Sequence, residues 1–416
     1  MKKSLINIGI KSKKALASQI DTKKKNKVLK DYIYFIKKNK NLILNENNKD
    51  IKIAKKKKLK DNLIKRLVLS DRKILDIIET IKKIIKLKDP TNIILEKWRR
   101  PNGLKISKVS IPIGVICVIY ESRPNVTSDV ASLCFKSGNS VILKGGSEAF
   151  YSNLILSKLF RKSLKKNNVD QSYVQFIETK KRNVVDFLLT KMSKLIDVVI
   201  PRGGKGLVRK VQNLSLIPTI GHLEGVCHSY VDKYADPQIA KKIILNAKLR
   251  NTAICGATET ILLHEKIIKK FGNLILKNLE NYGCKIIGDS KIVKLYDNKI
   301  QKASIKDWSK EYLSSIVSVK SVKNLDEAID HINKYGTMHT DCIITQNKNS
   351  AKKFLEKVKS SIAMHNTSTQ FADGGEFGFG GEVGISTSTL PPRGPVGLNQ
   401  LVSYKYQITS DGKIRG

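Results

Sequence analysis

The sequence has few cysteines, and they lie far apart. Six cysteines occur in 416 residues, with no CxxC pair and no ligand-like spacing to the six histidines. They are Cys117, Cys134, Cys227, Cys255, Cys284 and Cys342. Disulfide frameworks and structural zinc sites both depend on more closely patterned cysteines. The sequence therefore predicts free thiols and no bound metal.

Long apolar runs are also missing. No run approaches the length that crosses a bilayer, and the N-terminal stretch MKKSLINIGIKSKKALASQI is too interrupted by lysine to resemble a secretory signal. The sequence therefore predicts no membrane segment and favours a cytoplasmic protein.

Acidic residues are scarce relative to basic ones, with 36 Asp and Glu against 78 Lys and Arg and a net charge of +42. Such a charge often indicates nucleic acid or an anionic membrane surface. Here the lysines are scattered over predicted helix surfaces such as KKKNKVLKDYIYFIKKNK, without an arginine-rich arm or interleaved aromatic residues. We interpret the excess as a solvated lysine surface that steers anionic ligands and predict no nucleic-acid partner, with nucleic-acid binding as the alternative.

The pattern of apolar residues indicates an α/β protein. Residues 1–88 have helical spacing, and from Ile111 onward short β-branched runs such as IGVICVIY and NSVILKG alternate with helical stretches. A second alternating series follows, from HSYVD to NSAKKFLEKVKSS. This order predicts two doubly wound α/β domains with parallel sheets. The glycine-rich stretch 366–397 has neither period, so we predict an ordered return loop anchored by Phe371, Phe377 and Phe379, with a disordered low-complexity segment as the alternative.

One cysteine stands apart from the others. Cys255 lies in LRNTAICGATET, among small and hydroxylated residues between a predicted helix and a predicted strand. Backbone N–H groups at such a junction lower a thiol pKa and hold an oxyanion, so Cys255 is a candidate nucleophile. One alternative is a Cys–His hydrolase in which His222 or His228 assists the thiol.

Three loops that follow predicted strands carry anion-binding residues. IPRGGKGL has Arg202, Gly203 and Gly204 between a strand and a helix, where anions bind free N–H groups, although a simple glycine turn is an equal alternative. VILKGGSEA has Lys144 at a strand end, where ligands bind in open α/β sheets, with a solvated lysine as the alternative. In YESRPNVTSD, Arg123 and Asn125 flank Pro124, and the arginine has the geometry to grip a phosphate or carboxylate. Because the carboxyl ends of parallel strands share one edge, we predict that these loops converge.

The order of these motifs resembles the gamma-glutamyl phosphate reductase (glutamate-5-semialdehyde dehydrogenase) family of the aldehyde dehydrogenase superfamily. The similarity covers essentially the whole chain, above all YESRPNV and IPRGG, followed by NTAICGATET and DGGEFGFGGEVGIST. The resemblance implies a cofactor-binding domain at 1–226, with a hairpin at 92–112 that contributes to oligomerisation. A catalytic domain at 227–365 and a return loop with an oligomerisation tail at 366–416 complete the predicted architecture.

The resemblance also implies residue roles. Cys255 matches the nucleophile position, and Asn125 is the candidate oxyanion donor. The predicted substrate-binding residues are Arg123, Arg202 and Asn366, and the predicted cofactor-binding residues are Lys144, Gly203, Gly204 and Glu311. Glu224 lies near the position of the water-activating glutamate of oxidising relatives, but the Glu-Leu-Gly-Gly pattern is absent, so we do not assign it as a base.

The implied reaction is the NADPH-dependent reduction of L-glutamyl 5-phosphate to L-glutamate 5-semialdehyde through a cysteine thioester. Phosphate is released, and the reaction is the second step of proline synthesis from glutamate. We expect a homo-oligomer, with glutamate kinase as a possible transient partner. The nearest alternative is an aldehyde dehydrogenase that oxidises a free aldehyde.

Overall fold

The computed structural model describes residues 1–59, 61–296 and 299–415. The α-helices are α1 (Lys2–Ala15), α2 (Thr22–Lys38), α3 (Lys40–Lys56), α4 (Asp61–Leu67), α5 (Asp71–Lys86), α6 (Pro124–Lys136), α7 (Phe150–Lys166), α8 (Val184–Lys191), α9 (Lys205–Leu214), α10 (Pro237–Leu249), α11 (Glu265–Ile267), α12 (Asn273–Asn281), α13 (Ser290–Leu295), α14 (Leu325–Tyr335) and α15 (Lys348–Lys357). A π-helical turn, Ile268–Gly272, joins α11 to α12.

The strands are β1 (Ile94–Arg99), β2 (Lys105–Pro112), β3 (Val115–Tyr120), β4 (Ser140–Gly145), β5 (Val174–Phe176), β6 (Val198–Arg202), β7 (Cys227–Val231), β8 (Thr258–His264), β9 (Lys285–Gly288), β10 (Gln301–Lys302), β11 (Ile316–Val322), β12 (Thr340–Ile344), β13 (Ile362–His365), β14 (Gly384–Ser386), β15 (Gly394–Val396) and β16 (Val402–Thr409). Among the described residues, no helix is both long and apolar enough to cross a lipid bilayer.

The chain divides into two compact units. Unit 1 comprises residues 1–221, 378–384 and 396–416, and unit 2 comprises residues 222–377 and 385–395. The domain boundaries predicted from the sequence are at residues 226 and 365. In the structure, the chain passes from unit 1 to unit 2 after residue 221. It returns to unit 1 at residues 378–384 and again from residue 396. The assignment of cofactor binding to one part and catalysis to the other stays a prediction.

Unit 1 is built around a parallel sheet of order β5-β4-β3-β6. Every residue of β3 is buried. Ile116, Val118 and Tyr120 pack into one apolar cluster, while Cys117 and Ile119 pack into another on the opposite face. Alternate side chains of a strand point to opposite faces, so a run that is apolar throughout needs cover on both sides. The interpretation of IGVICVIY as a doubly covered strand is confirmed.

A second sheet in unit 1 is antiparallel, with the order β1-β2-β16. The predicted hairpin at 92–112 is present as β1 and β2, and the C-terminal tail adds β16 beside β2. All six residues of β1 are exposed, as are seven of the eight residues of β16. The sheet therefore leaves much of its surface open, and its part in oligomerisation stays a prediction.

Unit 2 is built around a seven-stranded sheet of order β10-β9-β11-β8-β7-β12-β13, in which neighbouring strands are parallel. All seven residues of β8 are buried. Ile261 and Leu263 pack into one apolar cluster and Leu262 into another, so this sheet is also covered on both faces. The prediction of two doubly wound α/β domains is confirmed.

The glycine-rich stretch 366–397 is only partly the loop that the sequence predicts. It is ordered, but it contains the short strands β14 and β15, which pair with each other. Phe371 and Phe377 are 48% and 40% exposed, and their role as anchors stays a prediction. Phe379 does pack closely in unit 1, because a β-carbon on Gly397 would lie 2.6 Å from its β-carbon. Strands of three residues are too short to show the alternating pattern by which a sequence reveals a strand.

Candidate active site

The thiol of Cys255 lies in the turn that connects α10 to β8. The Ala257 N–H donates to the Ile254 carbonyl across this turn, at 3.1 Å. Cys255 is partly exposed, whereas the other cysteines are buried. Because reactive thiols need solvent access and buried thiols are inert, Cys255 is the candidate nucleophile among them.

Two neighbours hold the Cys255 backbone from one side. A β-carbon on Gly225 would lie 2.2 Å from the Cys255 carbonyl oxygen, so only glycine fits at this position. The Cys227 thiol donates to the same carbonyl at 3.1 Å. Burial raises the pKa of Cys227 well above its usual range, which keeps this thiol protonated as a donor. The contacts with Cys255 thus explain why HLEGVC has a glycine at 225 and a cysteine at 227, which the sequence alone did not reveal.

Two histidines stand beside Cys255. The thiol sulfur and one ring nitrogen each of His222 and His339 lie within 4.8 Å of one another. The two imidazole rings meet edge to face with centroids 4.8 Å apart. The sequence predicts His222 or His228 as the histidine that assists the Cys255 thiol in the hydrolase alternative. His222 is in this group. His228 is buried, and its Nδ1 lies 2.9 Å from Asp341 Oδ1. His339 was missed, although its place directly before the buried strand TDCII was a visible signal.

These residues come together because of strand order. In the sheet, β11, β8, β7 and β12 are consecutive and parallel. Cys255 precedes β8, Gly225 precedes β7, and His339 precedes β12, so all three lie at the same edge. Glu311 precedes β11 at this edge, and its Oε1 accepts from the Gly225 N–H at 2.9 Å. The structure thus joins Glu311 to the segment that supports Cys255, and its role toward a cofactor stays a prediction.

An ion pair is buried in unit 2, on the helix and the strand that flank Cys255 in the chain. Lys248 and Glu259 are both fully buried, and their charged groups lie 2.5 Å apart. Glu259 also accepts from the Leu313 N–H at 3.2 Å. The pair therefore connects α10, β8 and the segment that carries Glu311.

Asn366 lies elsewhere in unit 2. Its amide oxygen accepts from the Thr345 N–H and its amide nitrogen donates to the Thr345 carbonyl, both at 2.9 Å. Thr345 directly follows β12, at the opposite end of that strand from His339. The observed contacts thus give Asn366 a role in this turn, and substrate binding by Asn366 stays a prediction.

In unit 1, the three loops converge as the sequence predicts. The Glu121 N–H donates to the Arg202 carbonyl at 3.1 Å, and the Gly204 N–H donates to Glu121 Oε2 at 2.7 Å. A β-carbon on Gly146 would lie 3.4 Å from the Glu121 α-carbon. Glu121 was missed by the sequence interpretation. Its carboxylate accepts at the N-terminus of α9, the position that the sequence assigns either to an anionic ligand or to a simple glycine turn.

The predicted cofactor and substrate residues of unit 1 have identifiable partners. Lys144 is buried at the end of β4, its Nζ donates to the Gly145 carbonyl at 2.8 Å, and burial lowers its pKa. Arg202 pairs with Glu382 at 3.0 Å. Asn125 donates to Asp129 at 3.0 Å.

Arg123 stands at the N-cap of α6 and is partly exposed. Gly203 and Gly204 immediately precede α9 and are exposed. These residues therefore belong to the carboxyl edge of the unit 1 sheet, together with Lys144 and Arg202.

Comparisons with known proteins agree with this architecture. A model of the aldehyde dehydrogenase family matches residues 18–289 and 301–390. The gamma-glutamyl phosphate reductase of Caldanaerobacter subterraneus subsp. tengcongensis is 42% identical over 415 residues, which cover 99% of this chain and 100% of that protein. The enzyme of the same name from Rhodospirillum rubrum is 45% identical over 370 residues, 89% of this chain and 86% of that protein.

Solved structures show the same relationship. The crystal structure of gamma-glutamyl phosphate reductase from Thermotoga maritima matches with a TM-score of 0.96 at 38% identity and covers 99% of this chain and 100% of that one. An acetylating aldehyde dehydrogenase from Geobacillus thermoglucosidasius shares the fold, with a TM-score of 0.71 at 14% identity, covering 100% of this chain and 98% of that one. The chain therefore belongs to the aldehyde dehydrogenase family and, within it, to the gamma-glutamyl phosphate reductases.

Proposed function

We propose that the chain reduces L-glutamyl 5-phosphate to L-glutamate 5-semialdehyde, with NADPH as reductant and Cys255 as nucleophile. The observation that carries this proposal is the partly exposed thiol of Cys255, set beside Gly225 in a chain that matches gamma-glutamyl phosphate reductases over nearly its full length. The product enters proline synthesis. We further propose a cytoplasmic location, because NADPH and an acyl phosphate made with ATP are available there.

The chemistry begins at Cys255. Its thiolate attacks the acyl carbon, the bond from that carbon to the phosphate oxygen breaks, and phosphate leaves with the electron pair. The proposed oxyanion donors are the Cys255 backbone N–H and the Asn125 amide. NADPH, when bound, supplies the hydride that reduces the thioester. Collapse of the resulting thiohemiacetal releases the semialdehyde and returns the Cys255 thiolate.

The residues of unit 1 fit the phosphate groups of a dinucleotide. A β-carbon on Gly203 would lie 2.6 Å from Glu121 Oε2, so glycine is required there, whereas a β-carbon on Gly206 would meet nothing within 4 Å. Lys144 offers a cationic donor near the end of β4, the strand that pairs with β3. Helix N-termini attract phosphate, so we propose that Lys144, Gly203 and Gly204 hold the cofactor when its phosphate replaces the Glu121 carboxylate on the Gly204 N–H. Lys144 is proposed to favour the 2′-phosphate of NADPH.

Arg123 and Arg202 are the proposed partners of the anionic substrate. A guanidinium forms paired hydrogen bonds with phosphate or carboxylate, which a lysine ammonium does not. Arg202 already pairs with Glu382. A substrate anion bound by Arg202 would therefore either replace the Glu382 carboxylate or bind the guanidinium beside it. We retain Asn366 and Glu311 as proposed contacts of substrate and cofactor, respectively.

The decisive experiment couples glutamate, ATP and a purified glutamate kinase to the full chain with NADPH, and measures semialdehyde formed. We expect Cys255→Ser to abolish reduction, and Cys284→Ser to retain it because Cys284 is buried and apart from the histidine group. Near-normal reduction by Cys255→Ser would overturn the proposed mechanism. An aldehyde-oxidising dehydrogenase would instead show a reverse reaction that does not depend on phosphate.

A further inference from the structure

His339 presents a buried nitrogen that needs a partner. The side chain is fully buried, and its Nε2 finds no hydrogen-bond partner among the residues that the structure describes. Its Nδ1 lies 2.9 Å from Thr340 Oγ1. When Nδ1 carries the proton and donates it to that hydroxyl, Nε2 keeps a lone pair. An unsatisfied buried nitrogen is costly, and a metal ion satisfies it as well as a hydrogen bond does.

The neighbours of His339 supply further metal ligands. The Cys255 thiol and a His222 nitrogen lie within 4.8 Å of the His339 ligand atom. His222 Nδ1 lies 2.8 Å from the Ile385 carbonyl, which fixes the orientation of the ring as an outer partner does in metal sites. In a tetrahedral zinc site, neighbouring N and S ligands stand about 3.3–3.6 Å apart. The ligand atoms therefore need to approach one another by up to about 1.2–1.5 Å, and Cys255 and His222, which are partly exposed, are the side chains that would move.

We infer that Cys255, His222 and His339 form a binding site for a borderline divalent cation of the zinc type. Two imidazoles and one thiolate suit Zn²⁺ or Co²⁺, whereas Mg²⁺ and Ca²⁺ prefer oxygen ligands. Three protein ligands leave one position for water, as in open zinc sites. On binding, the Cys255 sulfur forms a bond to the cation and its thiol proton passes to solvent.

The cation and the reaction compete for the same sulfur. A thiolate that donates its electron pair to Zn²⁺ is a weaker nucleophile, so occupancy reversibly inhibits the enzyme. This inhibition rests on the proposed role of Cys255, whereas cation binding itself does not. The site thus makes the reductase sensitive to free zinc and to chelators.

Two measurements on the full, untagged chain test the site without relying on activity. Titration with Co²⁺ should produce intense visible bands of tetrahedral cobalt and a near-ultraviolet thiolate-to-cobalt band. Zn²⁺ should slow alkylation of Cys255 by iodoacetamide, which reports on this residue because the other cysteines are buried.

Variants identify the ligands. His222→Gln and His339→Gln should each weaken Co²⁺ binding at least about tenfold, as loss of even an outer partner does in metal sites. Cys255→Ser should remove the thiolate band. His365→Gln is the matched control, since His365 is an exposed histidine of the same unit whose Nε2 lies 2.9 Å from the Thr345 carbonyl.

The outcomes separate the two proposals. Absence of the thiolate band, or equal Co²⁺ affinity in His222→Gln and wild type, overturns the cation site. His222 is partly exposed, so this variant keeps the test valid if the buried His339→Gln does not fold. Cobalt binding in a chain that fails the coupled reductase assay would retain the site and reject the proposed function.

Discussion

Gly225 and Cys255 are packed so closely that a β-carbon on Gly225 would lie 2.7 Å from the β-carbon of Cys255. We expect Gly225→Ala to displace the thiol and lower kcat by about 10²-fold, since a shift of about 1 Å at a reacting group has effects of this size. The coupled assay measures the loss, and alkylation of Cys255 measures the displacement directly.

Gly272→Ala is the matched control for this change. The nearest atoms to a β-carbon there are 3.5 Å away, an ordinary contact, and Gly272 lies in the π-helical turn of the same unit. If Gly225→Ala retained wild-type kcat and alkylation rate, the close packing would have no bearing on the thiol.

Lys144 is expected to decide between NADPH and NADH. Lys144→Met should lower kcat/KM with NADPH at least about tenfold, because a hydrogen bond to a charged group contributes about 1.5–3 kcal/mol. The value with NADH should change much less, since NADH lacks the 2′-phosphate. Lys158→Met, which alters an exposed lysine of unit 1, should leave both values unchanged. Equal losses with both reductants would show that Lys144 has only a structural role.

Asp129 should make stability depend on pH. Burial raises the pKa of its carboxyl from 3.8 to about 7, with the Asn125 amide and the Arg202 charge opposing the shift. A raised pKa in the folded state means that the folded chain binds the proton more tightly. The stabilising contribution is therefore complete below about pH 4 and is lost as pH rises through about 7.

Asp129→Asn should remove this dependence. We expect wild type to lose roughly 2–4 kcal/mol from this carboxyl between pH 4 and 8 relative to Asp129→Asn, since each unit of pKa corresponds to about 1.4 kcal/mol. Urea unfolding at several pH values measures the difference. Asp76→Asn, a change at a carboxyl that is 61% exposed, should follow wild type at every pH. If the free energy of unfolding changed with pH in the same way in wild type and Asp129→Asn, the prediction would be contradicted.

The exposed aromatic residues on the antiparallel sheet should lie in a subunit interface. Trp98 and Tyr406 meet edge to face at 6.0 Å, and 37% and 54% of their respective surfaces are exposed. Aromatic residues often dominate the energy of interfaces, so we expect Tyr406→Glu to weaken self-association at least about tenfold. Light scattering across a concentration series measures the mass. Tyr234→Glu, at a 48% exposed tyrosine of unit 2, is the control, and the same mass for all three proteins would reject this interface.

Much of the local structure follows from the sequence alone. A run that is apolar throughout, such as VICVIY in β3, has to be covered on both faces, and the structure covers it. Ile74, Ile77, Ile78 and Ile81 recur at helical spacing and form the buried stripe of α5. These patterns are local, because the period of the backbone itself decides which side chains share a face. The small residues around Cys255 and the order of the motifs were equally visible.

Tertiary structure alone decided which distant residues meet. The strand order β11-β8-β7-β12 places the segments before four strands at one edge and brings His339 to Cys255. The same strand order brings the Glu311 carboxylate within hydrogen-bond distance of the Gly225 N–H, from which it accepts. Likewise, the Glu121 carboxylate reaches the start of α9 only because β3 and β6 are neighbours. Strand order depends on pairing between segments far apart in the chain, which leaves no periodic trace in either segment. The sequence thus determined the elements and the candidate thiol, and the packing of the sheets determined the thiol's neighbours.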